Sequence, residues 1–596
     1  MNPLDAGRIQ KQSRLKGRQP DAVSLAEVRG WLGDKPAAGW RRDLLIEQLH
    51  LVNDACGALR ERHLVALAHE TGVSMAEVYE VATFYHHFEV AGDADRIAPL
   101  TVRVCDGLSC ELAGGRELRE RLPGLLGDGV RVVAAPCVGR CEQAPVALVH
   151  QFPVVRASVA AVQAAVRGGT TRHPEASAGA AFEPAECAEG EVGGAGADVA
   201  PAYADFDTYC AAGGYRLAAA LGEGRGDVEA VLSALEGAGL RGLGGAGFPA
   251  ARKWRIVRAQ PAPRLMAVNI DEGEPGTFKD RTFLERDPHR FLEGMLIAAA
   301  VIGIDACYVY LRDEYHGCRA LLAAELAKLQ RAAPFALPRI ELRRGAGAYI
   351  CGEESAMIES IEGKRGEPRL RPPYIAEVGL FGRPTLEHNF ETLYWVRDVV
   401  ERGPALFSGF GRNGRRGLRA FSVSGRVRRP GVKLAPAGIT ARELIDEYCG
   451  GMAEGHTLYA YLPGGASGGI LPARLADVPL DFDTLQPHGA FIGSAAVVVL
   501  GQDDLARDAA LNTMRFFAAE SCGQCTPCRV GTDKAALLMA APRWDEATLE
   551  DIAQAMADAS ICGLGQAAPN PIRSVRLHFA HEVVWPPLPR AGEGRG

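Results

Sequence analysis

Three cysteines spaced two residues apart, Cys522, Cys525 and Cys528 in SCGQCTPC, can turn three thiolates toward one metal centre. The C-x2-C-x2-C spacing is the core of many [4Fe–4S] motifs. Such a cluster needs a fourth ligand. Cys562 in ICGLG is the candidate, flanked by glycines that let backbone approach an inorganic core. A structural zinc more often takes two C-x2-C knuckles, so three ligands in a row favour iron–sulfur. A second set pairs Cys105 and Cys110 (CDGLSC) with Cys137 and Cys141 (CVGRC). Each pair follows a predicted strand, so two turns bring four thiolates to one end of a domain, enough for a [2Fe–2S] centre. Neither spacing is C-x2-C, which argues against a redox dithiol, while a four-cysteine zinc site is the competitor. Cys56, Cys187, Cys210, Cys307, Cys318, Cys351 and Cys449 have no metal spacing and read as packed small side chains.

Two further stretches carry polar chemistry. GLRGLGGAGFPAARKW, residues 239–254, sets Gly242, Gly244, Gly245 and Gly247 before a basic helix start. Glycines there let backbone N–H groups approach a phosphate, and Lys253 adds a phosphate or flavin contact; a simple tight turn has the same composition. The spacing is neither the Walker pattern nor G-x-G-x-x-G. LMAVNIDEGEPGTFKDR, residues 265–281, is an apolar strand ending in Asn269, Asp271, Glu272 and Glu274. The carboxyl ends of strands are where α/β sheets bind ligands. Residues 343–374 add a second glycine loop in which Gly352, Glu353 and Glu354 open a helix, with Tyr349 before it and Tyr374 after a Pro-Pro.

The elements that must position these groups follow from periodicity. Residues 1–95 form an N-terminal helical region, with helical apolar spacing over 41–90 and a Ser74/Glu77 capping box. Residues 96–167 read as a small α/β domain with strands at 100–104 and 130–135 around a helix. Residues 168–204 are Gly/Ala/Pro/Glu-rich and read as a linker. Alternating strands and helices make 205–420 one α/β domain, 421–505 a compact α+β insert, and 506–596 a mostly helical segment around the cysteine triplet. A chain of 596 residues needs several such cores.

Composition narrows the function. A net charge of −7 offers no basic footprint for nucleic acid. No apolar run reaches the roughly 18–20 residues of a membrane span, and the basic N-terminus lacks the apolar core of a secretory signal. The expectation is a cytoplasmic protein, whose 15 cysteines are thiols for metal or catalysis.

Taken together, GGAGFP, NIDEGEPGTFKDR, GAGAYICGEES, EGKRGEPR, PTLEHNFETL and SCGQCTPC…ICGLG resemble the flavin subunit of NADH dehydrogenases. The same module serves as diaphorase in NAD-linked hydrogenases and formate dehydrogenases. That resemblance covers residues 205–585, and residues 41–150 resemble the thioredoxin-like [2Fe–2S] subunit, here fused in front. The fused whole, with PHRFLEGMLI, YLRDEY and YLPGGASGGILPA, most resembles the beta (diaphorase) subunit of a molybdenum- or tungsten-containing NAD-dependent formate dehydrogenase.

The resemblance implies a multidomain α/β fold. An N-terminal helical bundle and a thioredoxin-like domain precede a Rossmann-like FMN/NAD domain, a β-grasp insert and a C-terminal helical bundle holding the [4Fe–4S] cluster. It implies FMN against Gly242, Gly244, Gly245 and Lys253, with contacts from Asn269, Asp271, Glu272, Tyr349, Gly352, Glu353, Glu354 and Asn389. It implies a nicotinamide nucleotide facing Phe248 and Tyr374, with Glu274 on its sugar or amide. Electrons from formate, oxidised in a partner alpha subunit with its own iron–sulfur clusters, would reach NAD+ through the clusters and FMN. The rival readings are the diaphorase of an NAD-reducing hydrogenase, a respiratory NADH dehydrogenase subunit, and a zinc-stabilised scaffold without catalysis. Two positions depart from the family pattern: Leu243 where Arg is common, and His388 before Asn389 where Asn is common. A neutral imidazole offers one donor where an amide offers two, so His388 bears on the flavin environment.

Overall fold

The computed structural model describes residues 17–179, 190–192, 199–333 and 335–583. Helical spacing in the N-terminal part closes into four helices, Ala22–Leu32, Leu45–Cys56, Glu61–Thr71 and Met75–Phe84. The Ser74 capping box is present. Glu77 N–H donates to Ser74 Oγ at 3.2 Å and Ser74 N–H to the Glu77 carboxylate at 3.3 Å, which fixes where the last helix starts. The apolar face of this bundle (Leu49, Val52, Leu64, Val78, Val81) shares one core with Ala346, Ile350, Met357 and Ile361. The bundle is therefore seated on the central α/β domain.

In the next module Leu100–Cys105 lies between Val130–Ala135, parallel, and Ala147–Val149, antiparallel; Phe152–Val154 completes four strands. The parallel pair ends on the same side, so Cys105 terminates one strand and Cys137 follows its neighbour directly.

The central domain is built on four parallel strands in the order Arg339–Arg344, Ile304–Leu311, Arg264–Ile270, Thr385–Asn389. Leu265, Met266, Ala267, Val268, Cys307 and Val309 are buried, as a parallel sheet covered on both faces requires. Helices Ala250–Arg258, Pro288–Ile302, His316–Ala332 and Glu354–Ile361 supply the cover. All four strands end at one rim.

A six-stranded mixed sheet follows in the order Leu471–Pro472, Leu458–Leu462, Ala496–Gly501, Leu418–Gly425, Gly431–Pro436, Gly190–Val192. Its last strand corrects the reading of 168–204 as linker alone. Residues 190–192 pair antiparallel with Val432–Leu434 as an edge strand, and Ala178 bridges Tyr203. Edge pairing uses backbone groups, so a Gly/Glu-rich composition carries little trace of it. Cys187, read as an unliganded thiol, lies outside the described residues. Five helices, Ala506–Glu520, Thr526–Met539, Glu546–Ala559, Gly563–Ala567 and Asn570–His578, form the C-terminal part. Among the described residues no helix is long and apolar enough to cross a membrane. Cys307, Cys318, Cys351 and Cys449 are buried core thiols and Cys56 and Cys210 half-buried.

Candidate redox site

Cys105, Cys110, Cys137 and Cys141 are all buried and converge at the strand ends of the small module. The sulfurs of Cys137 and Cys141 are 3.3 Å apart, and Cys105 stands within hydrogen-bonding reach of both Cys110 and Cys137. Thiol–thiol hydrogen bonds favour ionisation at Cys137 and disfavour it at Cys105 and Cys141. Gly107 belongs to this cradle: a Cβ there would sit 3.3 Å from the Cys137 Cβ and 3.6 Å from the Cys105 sulfur. Four convergent thiols in a pocket this close fit a [2Fe–2S] ligand set.

Cys525 stands at the N-cap position of the helix Thr526–Met539 and Cys562 at that of Gly563–Ala567, while Cys522 precedes the first and Cys528 lies in its opening turn. The four pack together beside Phe517, Met556 and Leu564. Burial pushes the Cys528 thiol up to about 11 and the Cys562 thiol up to about 12, so bare thiolates are unfavourable here and a cationic centre is what would ionise them. Gly565 closes the site: a Cβ would approach the Cys528 Cβ to 2.9 Å.

The glycine loop and the strand ends of the central sheet form a third site. Gly247 has a φ of +66° and faces the Phe482 ring, which a Cβ would meet at 2.5 Å; a Cβ at Gly244 would stand 3.0 Å from Asn389. Asn269 links two loops, with its amide on the Gly352 carbonyl at 2.8 Å and its oxygen accepting Asp271 N–H at 3.0 Å. Asp271 Oδ2 is buried without a hydrogen-bond partner, and burial holds its carboxyl well above the usual range. An orphaned acceptor at a strand end fits a ligand that brings a donor. Glu353 caps its helix, accepting from Ser355 N–H at 3.0 Å and Ala356 N–H at 2.9 Å. Lys253 stands between Glu387 at 2.8 Å and Glu354 at 3.9 Å.

Four expected contacts have other partners in the structure. Glu272 accepts backbone N–H groups of Asp280 and Arg281 at 2.8 and 3.1 Å and the Tyr315 hydroxyl at 2.7 Å; burial, then the Asp280 charge, push it up to about 7. His388 Nε2 accepts the Trp254 indole N–H at 2.7 Å, which leaves the ring proton on Nδ1, and burial followed by the Lys253 charge keeps the ring neutral. Asn389 donates to Asp280 at 2.6 Å and caps the helix Phe390–Tyr394. Glu274 accepts Ser467 N–H at 2.8 Å, the Ser467 hydroxyl at 2.7 Å and the Tyr349 hydroxyl, and burial raises its pKa. Phe248 and Tyr374 are 40% and 57% exposed, so both rings are open to an incoming ring.

Several site residues have no counterpart among the sequence expectations. Arg312 donates to the carbonyls of Cys137 and Glu272, and Tyr315 to Glu272. Ser467 reaches Glu274 from the insert, and Glu520 accepts Tyr349 N–H at 2.8 Å. Ser467 lies in the YLPGGASGG stretch and Arg312 and Tyr315 in YLRDEY, though neither stretch gave them a role; Glu520 carries no local signal.

Three family models match the chain. Residues 35–168 match the thioredoxin-like [2Fe-2S] ferredoxin, 235–398 the Nuo51 FMN-binding domain, and 508–585 the NADH-ubiquinone oxidoreductase-F iron-sulfur binding region. The chain is 40% identical over 395 residues to the NADH-quinone oxidoreductase F 2 subunit of Rhizobium meliloti (strain 1021), covering 64% of this chain and 93% of that protein. It is 40% identical over 374 residues to the mitochondrial NADH dehydrogenase [ubiquinone] flavoprotein 1 of Dictyostelium discoideum, covering 59% of this chain and 78% of that protein. A chain in the crystal structure of an NAD+-reducing [NiFe]-hydrogenase in the H2-reduced state aligns with a TM-score of 0.76 and 32% identity, over 91% of this chain and 93% of that chain.

Proposed function

This chain belongs to the NADH-quinone oxidoreductase flavoprotein family, with FMN-binding, [2Fe–2S] and [4Fe–4S] domains in one polypeptide, and we propose that it is the diaphorase subunit of an NAD-dependent formate dehydrogenase. The observation that carries the diaphorase reading is the fused [2Fe–2S] module. The Rhizobium relative matches 64% of this chain, whereas the NAD+-reducing hydrogenase chain matches 91%. That breadth supports an NAD-linked complex over a respiratory one. Formate as the electron source is supported by the likeness of the fused sequence described above. A hydrogenase partner is the second reading, favoured by the same structural match.

Bound FMN supplies the exchange between a two-electron carrier, NAD(H), and one-electron clusters. The chain's part is binding and orientation. In this reading the Gly242–Gly247 loop offers backbone to the flavin phosphate, and Asp271 Oδ2 accepts a hydrogen bond that no protein group fills. Phe248 and Tyr374 offer rings to the nucleotide at the open face. Glu274, braced by Tyr349 and Ser467, presents a carboxylate to a ribose hydroxyl or amide. Cys105, Cys110, Cys137 and Cys141 hold one cluster, and Cys522, Cys525, Cys528 and Cys562 the other.

The test is formate-dependent and hydrogen-dependent NAD+ reduction by the native complex, with elemental analysis for Mo, W, Ni and Fe. Formate activity with molybdenum or tungsten is the expected result. Nickel with hydrogen-dependent activity overturns the formate reading and supports the hydrogenase one.

A further inference from the structure

A second group of metal-type ligands lies where the N-terminal bundle meets the central domain and includes none of the cysteines. His50 and Asp54 are four residues apart on the helix Leu45–Cys56 and therefore share a face, and His87 follows the helix Met75–Phe84. One ring nitrogen of each histidine and one carboxylate oxygen of Asp54 lie within 4.8 Å of one another.

The two imidazoles are already oriented as metal ligands are. A ligating histidine normally gives its other N–H to a carbonyl or carboxylate, which fixes the tautomer and the ring. His50 Nε2 bonds the Gly345 carbonyl at 2.8 Å, and His87 Nδ1 faces Asp313 at 2.8 Å. The opposite nitrogens carry the lone pairs. His50 is 1% exposed, and its Nδ1 is buried with no hydrogen-bond partner. Packing of the bundle alone gives no reason to bury a lone pair unmet. His87 Nε2 has the Asn53 amide at 3.4 Å.

Arg344 is the opposing charge. It donates to Asp54 Oδ2 at 2.7 Å through one terminal nitrogen and to Oδ1 at 3.5 Å through the other, so Oδ1 is the more weakly held oxygen and the one an ion would take. Its Nε donates to Asp313 at 2.6 Å, which offsets its charge beside His87. Asn53, Asp54, His87, Asp313 and Arg344 also line a cavity of about 1120 Å³, giving solvent and a fourth ligand access.

We propose that His50, Asp54 and His87 bind a first-row divalent cation of the zinc type, which ties the helix Leu45–Cys56 to the segment after Met75–Phe84 at the face that Gly345 and Asp313 of the central domain meet. Two neutral imidazoles and one carboxylate are a borderline ligand set that suits zinc and leaves a position for water.

The test uses the full chain with its flavin and clusters intact, dialysed against a mild chelator and then titrated with zinc against a colorimetric competitor. One zinc per chain is expected, with iron unchanged and nitrogen/oxygen but no sulfur scattering at the zinc absorption edge. Asp54→Asn, on a half-exposed side chain, and His87→Gln are each expected to weaken zinc at least tenfold while iron and flavin contents stay at wild-type levels. No zinc uptake, sulfur scattering, iron displaced in step with zinc, or equal affinity in either variant that keeps its iron and flavin would overturn the proposal.

Discussion

Arg312 donates to the backbone carbonyl of Cys137 at 2.7 Å while its other terminal nitrogen donates to the carbonyl of Glu272. One buried guanidinium thus ties a ligand of the four-thiol site to the strand end that faces the proposed flavin site. Its Nε donates to Glu314 at 3.1 Å.

A fixed positive charge beside a cluster stabilises its reduced form. Arg312→Gln is therefore expected to lower the [2Fe–2S] midpoint potential. A tenfold change in the one-electron equilibrium, about 59 mV, is the order of effect. Redox titration followed by electron paramagnetic resonance reads this directly, with Arg312→Lys as the charge-conserving control. An unchanged potential in the Gln variant that keeps its cluster would remove the electrostatic role.

Glu274 yields a separate expectation. Its carboxylate is braced by Tyr349 and Ser467, neither of them in the glycine loop. Glu274→Ala should weaken NADH roughly tenfold, the loss of one or two charge-assisted hydrogen bonds, and leave FMN content near that of the parent. Equal loss of flavin and nucleotide would make the residue structural.

How much of this was legible in the sequence depended on whether the cause was local. Seven of the eight proposed cluster cysteines stand out by spacing and Cys562 by its glycine flanks, and Ser74 with Glu77 announces a helix start. The strand-end acids were legible as a position and not as partners. Glu272 is satisfied by Asp280 and Arg281 N–H groups only after the chain turns back on itself, and Ser467 meets Glu274 across 193 residues. The edge strand 190–192 pairs through backbone alone. His50 and Asp54 show the helical i,i+4 spacing, but His87 and the carbonyl of Gly345 join them only in the folded chain.

The buried Glu272 gives a pH dependence whose sign follows from its shift. Its folded pKa is pushed up to about 7 from an ordinary value of 4.5, so the native chain holds a proton that the unfolded chain has released. Its contribution is complete below the unfolded value and is lost as pH rises to about 7. Glu272→Gln should flatten this part of the stability profile between about pH 5 and 7.5, read as the temperature of flavin release. A variant with the parent's slope would assign that slope to other groups.

The last expectation separates the two halves of the proposed electron path. Cys525 stands at the N-cap position of the helix Thr526–Met539, at the edge of the site it shares with Cys522, Cys528 and Cys562, whereas the glycine loop and Glu274 lie on other elements. Cys525→Ala removes one thiolate of four and should deplete the [4Fe–4S] cluster without disturbing nucleotide or flavin binding. NADH should then still bleach the flavin in stopped-flow at the parent's rate. NAD+ reduction driven by the partner subunit should fall at least a hundredfold, because effective electron exchange with the partner is lost. If that partner-driven rate survives in a variant shown by iron analysis to lack the cluster, electrons enter by another route. The four-thiol site at Cys105, Cys110, Cys137 and Cys141 would then be the entry to examine.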